Sequence, residues 1–315
     1  MPELITMGET MAAFTPSISG ALRYVSDYRI RPAGAESNVA VGAAKLGIHT
    51  SWVSRVGEDE FGHYICNQTR AEGVDCSHVI YDTAHRTGAM FKETGAGETK
   101  VFYYRENSAA SHMAPEDFPE ELLINAKILH LSGITPVLSE SCRTAMMEAM
   151  KLAHRHGVKI SFDPNVRRKL WGSKDYAPLL KKIANQSEIL LLGLEEAKIL
   201  FGFDKPDDIF DKLFTNGVAE YIAVKDGSHG AYVADRRQRY FIPPHPCHPV
   251  DPVGAGDGFN AGFLAGILKG YRTEICGKMG AICGALATQV TGDVEGYPDE
   301  LQMQQILNKE AITYR

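Results

Sequence analysis

The sequence predicts an α/β fold: a three-layer α/β/α body with a mostly parallel central sheet, carrying a small β-sheet lid. Three observations carry that expectation. Apolar β-type runs alternate with amphipathic helices along most of the 315 residues, the pattern of a parallel sheet covered on both faces. A turn of small residues, Gly254-Ala255-Gly256-Asp257, opens a long apolar helix. Two stretches, 12–31 and 83–106, interrupt the alternation with short period-two segments.

The clearest predicted strands are 127–131 (KILHL), 158–162 (VKISF), 188–192 (EILLL) and 221–224 (YIAV). Predicted helices span 37–46, 140–156, 178–185, 254–269 and 274–290. Gly47 and Gly157 follow two of them as C-terminal stops. The interrupting stretches read as antiparallel, with turn signals at 17–20 and 95–97. They are too short to fold alone, so a small sheet projecting from the body is expected, either covering a ligand or supplying a subunit contact. No repeat, low-complexity tract or flexible linker is visible, which favours one domain over 1–315 with lid segments at 12–31 and 83–106.

Hydrophobic residues make up 44% of the chain and charged ones 23%, the balance of a soluble globular protein. A net charge of −6 argues against a nucleic-acid surface, which needs a basic stripe. No apolar run approaches the roughly 18 residues of a membrane span. Glu3 stands where a secretory leader would be basic. Six cysteines (66, 76, 142, 247, 276, 283) form no CxxC pair, so neither a zinc framework nor a disulfide scaffold is indicated, and a cytoplasmic location is expected. His245-Pro-Cys247-His248 is crowded by prolines and reads as a loop rather than a metal site. His154 and His156 fall near a predicted helix C-terminus, where cations are favoured.

The segment from Asp251 to Asp257 carries the most chemistry. First-turn N–H groups are unpaired and sit at the positive end of the helix dipole, so such a terminus binds phosphate. A carboxylate at that spot, Asp257, points to a proton acceptor beside a charged group; an ordinary helix start with an acidic first turn fits the same residues. Near the N-terminus, Gly34 allows close backbone approach and Ser37 or Asn38 can cap a helix; Glu36 and Asn38 can also hydrogen-bond a polyhydroxylated ligand. Asp163-Pro-Asn165-Val-Arg167 follows a predicted strand, where ligands of parallel sheets lie. Lys225, Gly227 and Gly230 form a turn suited either to phosphate or to a hairpin. Arg105 ends Tyr103-Tyr104-Arg105, where it can fork onto a carboxylate or serve as an edge charge. There is no GxxxxGK[ST]. GAGDG is followed by Phe259 where GxGxxG requires glycine, which disfavours a dehydrogenase.

Together these segments resemble the ribokinase-like (PfkB) carbohydrate kinases almost end to end. PAGAESNVAVGAAKLG is similar to the family's sugar-binding signature, and VDPVGAGDGFNAG to its C-terminal signature. Within the family the 2-keto-3-deoxygluconate kinases match best, through YYR at 103–105, FDPNVRRKLW at 162–171, LLGLEEA at 191–197 and GALATQVTGDVEGYP at 284–298. The resemblance implies a ribokinase-like fold and ATP-dependent phosphorylation of a sugar hydroxyl, with Asp257 as general base and Gly254, Ala255 and Gly256 as the anion hole. It implies nucleotide contacts from Asn165, Arg167, Gly193, Lys225, Gly227 and Gly230. It implies sugar-acid contacts from Gly34, Ala35, Glu36, Ser37, Asn38, Tyr103, Tyr104, Arg105, Ile134, Arg167 and Asp293. Apart from the resemblance, the lid can join a partner's lid, and a homo-oligomer formed through it is expected.

Two departures stand out. Many relatives carry NxxE in support of Mg²⁺; here Gly193-Leu-Glu-Glu196 leaves Glu196 to act through water. Asp251-Pro252 replaces Asp-Thr, removing a hydroxyl and an N–H beside the place where some relatives bind a monovalent cation such as K⁺. A fructokinase or other neutral-sugar kinase on the same scaffold is the alternative, and a non-catalytic sugar- or nucleotide-binding protein a further one. Retention of Asp257 with its three small neighbours argues against the last.

Overall fold

The structure is a computed structural model and describes residues 1–95 and 98–313. Thirteen strands form two sheets: β1 Leu4–Met7, β2 Met11–Pro16, β3 Tyr28–Ala33, β4 Thr50–Gly57, β5 Val79–Asp82, β6 Ala89–Gly95, β7 Glu98–Tyr104, β8 Ile128–Ser132, β9 Lys159–Asp163, β10 Ile189–Gly193, β11 Tyr221–Lys225, β12 Ala231–Asp235 and β13 Arg239–Ile242. The larger sheet runs β13-β12-β11-β10-β9-β8-β1-β4-β5. It is parallel from β5 to β11, and β12 and β13 fold back antiparallel at its edge.

Period-two alternation sends the side chains of each central strand into two separate cores. Ile5, Met7, Leu129, Leu131, Ile160, Phe162, Leu190 and Leu192 pack against helices Glu140–Arg155, Ala177–Ala184, Leu194–Phe201 and Pro206–Asn216. Leu4, Ile128, Ile189, Leu191 and Ala223 face the other way, onto helices Ala35–Lys45, Ala255–Leu268 and Thr273–Ala287. Burial on both faces explains the consecutive apolar residues Ile128 and Leu129 and the run at 189–192, and the polar His130 and Ser161, buried on the same sheet, contact each other at 2.9 Å. Each fully buried Leu, Ile or Phe contributes about 1.5–3 kcal/mol. This is the predicted three-layer body.

The smaller sheet runs β3-β2-β6-β7. Its two hairpins are antiparallel as predicted, but β2 and β6 join them in parallel, Ala12 opposite Ala89 and Phe14 opposite Phe91. A parallel pair needs a long crossover, and here it is all the chain between the hairpins. The turn expected at 95–97 falls partly on residues 96 and 97, outside the described residues.

Several local expectations shift. Helix Ala35–Lys45 starts two residues early, with extended Gly34 as its N-cap; Ser37 and Asn38 lie inside the first turn and cap nothing. The turn after β11 is a hairpin into β12, built on Gly227 (φ +54°) and Gly230 (φ +108°). His154 approaches Glu188 (3.4 Å) and His156 approaches Glu120 (2.8 Å) at the end of helix Glu140–Arg155. Residues 243–249 are an irregular segment, and no His/Cys/Asp/Glu group among the described residues is arranged to hold a metal. No helix among them is long and apolar enough to cross a membrane.

Candidate active site

The carboxyl ends of the parallel strands meet along one edge, where Ser132 ends β8, Asp163 ends β9, Gly193 ends β10 and Lys225 ends β11. A cleft of about 680 Å³ lies beyond them. Its opposite wall is the lid, through Met11, Met90, Lys92, Val101 and Tyr103, with Arg105 just past β7. That volume suits a sugar and a polyphosphate side by side.

The floor of the cleft is the N-terminus of helix Ala255–Leu268. Gly254 caps it at φ +78°, and any Cβ there would run into the Asp293 backbone oxygen, so glycine is required twice over. Tyr297 Oη donates to the Gly254 carbonyl (2.8 Å) and fixes the turn. Pro252 also has a local role: the Asp251 carboxylate accepts from Val253 N (3.1 Å), and a proline's fixed φ suits the second position of such a turn. Helix geometry leaves the Gly256 and Asp257 amides without intrahelical acceptors. A Cβ on Gly256 would lie 3.9 Å from Lys225 Nζ, so the loop and the lysine face one spot.

Asp257 is half-buried beside these amides. Burial pushes its carboxyl up to about 7; the charges of Asp163 and Asp293 act in the same direction, against the Asn38 hydrogen bond (2.8 Å) and Lys225. A carboxyl in that range can take a proton near neutrality.

Behind it, Lys225 Nζ donates to Asp163 (2.8 Å) and Asn260 (3.1 Å), and Asn260 donates to Asp163 (2.6 Å). Burial works to raise Asp163, yet Lys225, Asn260 and the Asn165 amide hold it below the usual carboxylate range. Asn165 sits at φ +39°, an uncommon conformation for a residue with a side chain, stabilised by its N–H bond to Asp163 (2.9 Å). Glu196 takes the Gly193 and Val166 amides, each at 2.7 Å, and burial beside Asp163 raises its carboxyl. Each of its oxygens retains a lone-pair direction, and Glu196 lines the cleft.

Gly34, Ala35, Asn38, Tyr103, Arg105, Ile134 and Asp293 also line the cleft. Arg105 is paired with buried Glu9, which also accepts from Ser108 (2.6 Å). Arg167 is exposed on the wall; among the described residues it has no ion-pair partner, and neither do Arg168 and Lys169 beside it.

Some predicted residues lie elsewhere. Glu36 turns inward beneath Gly8 and accepts from Ser132 (2.6 Å) and Thr135 (2.9 Å); burial raises its carboxyl. Ser37 bonds Thr10 (2.7 Å). The side chains expected to meet sugar at these two positions thus support the loop instead. Tyr104 faces the opposite side of its strand from Tyr103 and edges onto Phe91. Gly193, Gly227, Gly230 and Ala255 are not in the cleft wall.

Four site residues escaped the sequence reading. Asn260 had a signal, since it lies one turn after Asp257 on the same helix face. Lys92, Glu9 and Tyr297 had none, because each reaches the site through contacts distant in sequence.

Amides and a carboxylate converge where a phosphoryl group would meet a hydroxyl, under a lid that can exclude water. That is the equipment of a kinase for small alcohols. The pattern described as pfkB family carbohydrate kinase matches residues 1–300, and the chain belongs to this family of ATP-dependent sugar kinases. It is 36% identical to a 2-dehydro-3-deoxygluconokinase of Bacillus subtilis, over 99% of this chain and 98% of the relative. It is 32% identical to a probable fructokinase-5 of Arabidopsis thaliana, over 98% of each. A crystal structure of a PfkB protein from Polaromonas sp. superposes with a TM-score of 0.87 at 34% identity, covering 97% of this chain and 100% of the other.

Proposed function

We propose that the chain transfers the γ-phosphoryl group of ATP to a hydroxyl of 2-keto-3-deoxygluconate, with Asp257 as general base. The observation that carries the acidic substrate is the run of unpaired cations on the cleft wall, Arg167 to Lys169. Cations without carboxylate partners attract anions, and a sugar acid brings one beyond the ATP phosphates. The 2-dehydro-3-deoxygluconokinase relative supports the same choice.

In this reading Asp257 accepts the hydroxyl proton as the sugar oxygen bonds to the γ-phosphorus and the bond to ADP breaks. The Gly256 and Asp257 amides face the charge on the transferring group. Lys225 holds phosphate oxygens, Arg167 takes the carboxylate of the keto acid, and Asn38 and Asp293 orient the sugar. Mg²⁺ carried by the nucleotide would add charge neutralisation, and Glu196 would hold it through water.

A coupled ADP-release assay comparing 2-keto-3-deoxygluconate with fructose tests the proposal. A clear preference in kcat/KM for the keto acid is expected, and a preference for fructose would transfer the assignment to a fructokinase. The fructokinase relative at 32% identity makes that the second reading. We also propose that the lid sheet joins a second copy, on the ground that Phe102 and Tyr104 are exposed on its edge strand. A monomer in sedimentation would overturn this.

A further inference from the structure

Lys92 is a charged residue on a lid strand that is nonetheless almost wholly buried. Its ammonium lies 3.3 Å from Asp293 Oδ1, and the other Asp293 oxygen takes Asn38 Nδ2 at 3.3 Å. That same nitrogen donates to Asp257 at 2.8 Å. One line of contacts thus runs from the lid through two body segments to the proposed base.

We propose that Lys92 is a positioning residue: by neutralising Asp293 it keeps the Asn38 amide on Asp257 and holds the base ionised when the lid is in place. The inference rests on the reading of Asp257 as general base. Burial raises the Asp293 carboxyl as it raises Asp257, so without the lysine charge the two acids compete for one negative charge, and an ionised Asp293 draws the Asn38 hydrogens toward itself. Both changes disfavour the Asp257 carboxylate. The other groups around the two acids do not substitute. Asp163 is negative and pairs Lys225, Glu295 pairs Arg31, and Tyr297 donates to Gly254. Lys225 faces Asp257 from the body side, but it is held by Asp163 and Asn260. A buried lysine also pays desolvation, which a purely structural position could avoid with Met or Leu.

The test is the pH profile of kcat/KM together with infrared titration of the Asp257 carboxyl in the free enzyme, identified by its loss in Asp257→Asn. Lys92→Met is expected to move the acidic limb and the carboxyl titration upward by on the order of one pH unit. Lys92→Arg should leave both near their original positions. Lys92→Met combined with Asp293→Asn should bring the titration back down, because the uncompensated charge is gone. Circular dichroism and ATP binding verify folding, and where Lys92→Met does not fold, Lys92→Gln is expected to show the same upward shift, an unmoved limb and titration there overturning the proposal equally. An unmoved limb and titration in Lys92→Met would overturn the proposal, as would a rise in KM for the sugar acid alone or a double variant titrating like Lys92→Met. If Asp257→Asn retains turnover, the base assignment fails instead, while the infrared titration still decides the link to Lys92.

Discussion

Asn38 Nδ2 lies 2.8 Å from Asp257 Oδ2, and the same nitrogen lies 3.3 Å from Asp293 Oδ2. A side-chain amide nitrogen carries two hydrogens, so each carboxylate can take one. The first turn of helix Ala35–Lys45 and the turn at 254–257 are therefore joined by a single side chain. Its position in the first turn of helix Ala35–Lys45, where it caps nothing, leaves it available for that task.

Asp257→Asn removes the proton acceptor while preserving shape. Turnover is expected to fall by roughly 10²–10⁴ with ATP affinity nearly unchanged. Near-normal kcat in steady-state assays would take Asp257 out of the role.

The raised Asp257 carboxyl also predicts a stability effect. Its folded value of about 7 exceeds the ordinary value of 3.8, so folding favours the protonated form. That contribution is complete below pH 4 and is lost as pH rises through about 7. In the ligand-free protein, Asp257→Asn should raise Tm at pH 8, by roughly 2–4 °C, and make little difference at pH 4. Calorimetry at the two pH values reads the difference, and equal shifts at both would count against a carboxyl raised by burial.

The two cleft arginines should respond differently. Arg167→Ala removes an unpaired cation and is expected to raise KM for the keto acid roughly 10- to 100-fold, and for fructose much less. Arg105→Ala leaves Glu9 buried beside Ser108 alone, which costs about 3–5 kcal/mol of stability whatever the substrate. Thermal melts and KM values measured on both variants separate the effects; a stable Arg105→Ala would contradict the ion-pair role.

Gly254→Ala meets two obstacles, the positive φ and the Asp293 carbonyl. The helix start must shift, carrying the Gly256 and Asp257 amides with it. A loss of about 10²–10³ in kcat is expected, with secondary structure retained by circular dichroism.

Legibility in the sequence followed burial. The runs at 127–131 and 188–192 announce strands because apolar residues fall on both covered faces, and 158–162 does so through the alternation of Val158, Ile160 and Phe162. β4 does not, since Thr50, Ser51 and Ser54 are polar yet buried among its apolar residues. β1 is only LITM, four residues without a period of their own. In the site, the turn at 254–257 was readable because glycines and a carboxylate at a helix start have few uses. Glu36 faces inward onto Ser132 and Thr135, an orientation that a first-turn acid does not announce. The contact between Lys92 and Asp293 spans 201 residues and joins an ordinary strand lysine to a loop aspartate, so no local pattern could announce it.

The parallel seam between β2 and β6 has a consequence for biosynthesis. The first lid hairpin leaves the ribosome with the β2 edge, Ala12 to Phe14, open, and its neighbour Ala89 to Phe91 follows only after the intervening chain has been made. Until then an unpaired strand edge is exposed, with Phe14 lacking the Phe91 ring that later stacks on it at 4.4 Å. Nascent chains halted before residue 89 should therefore be the species that aggregate or recruit chaperones, although their N-terminal hairpin is already complete in sequence.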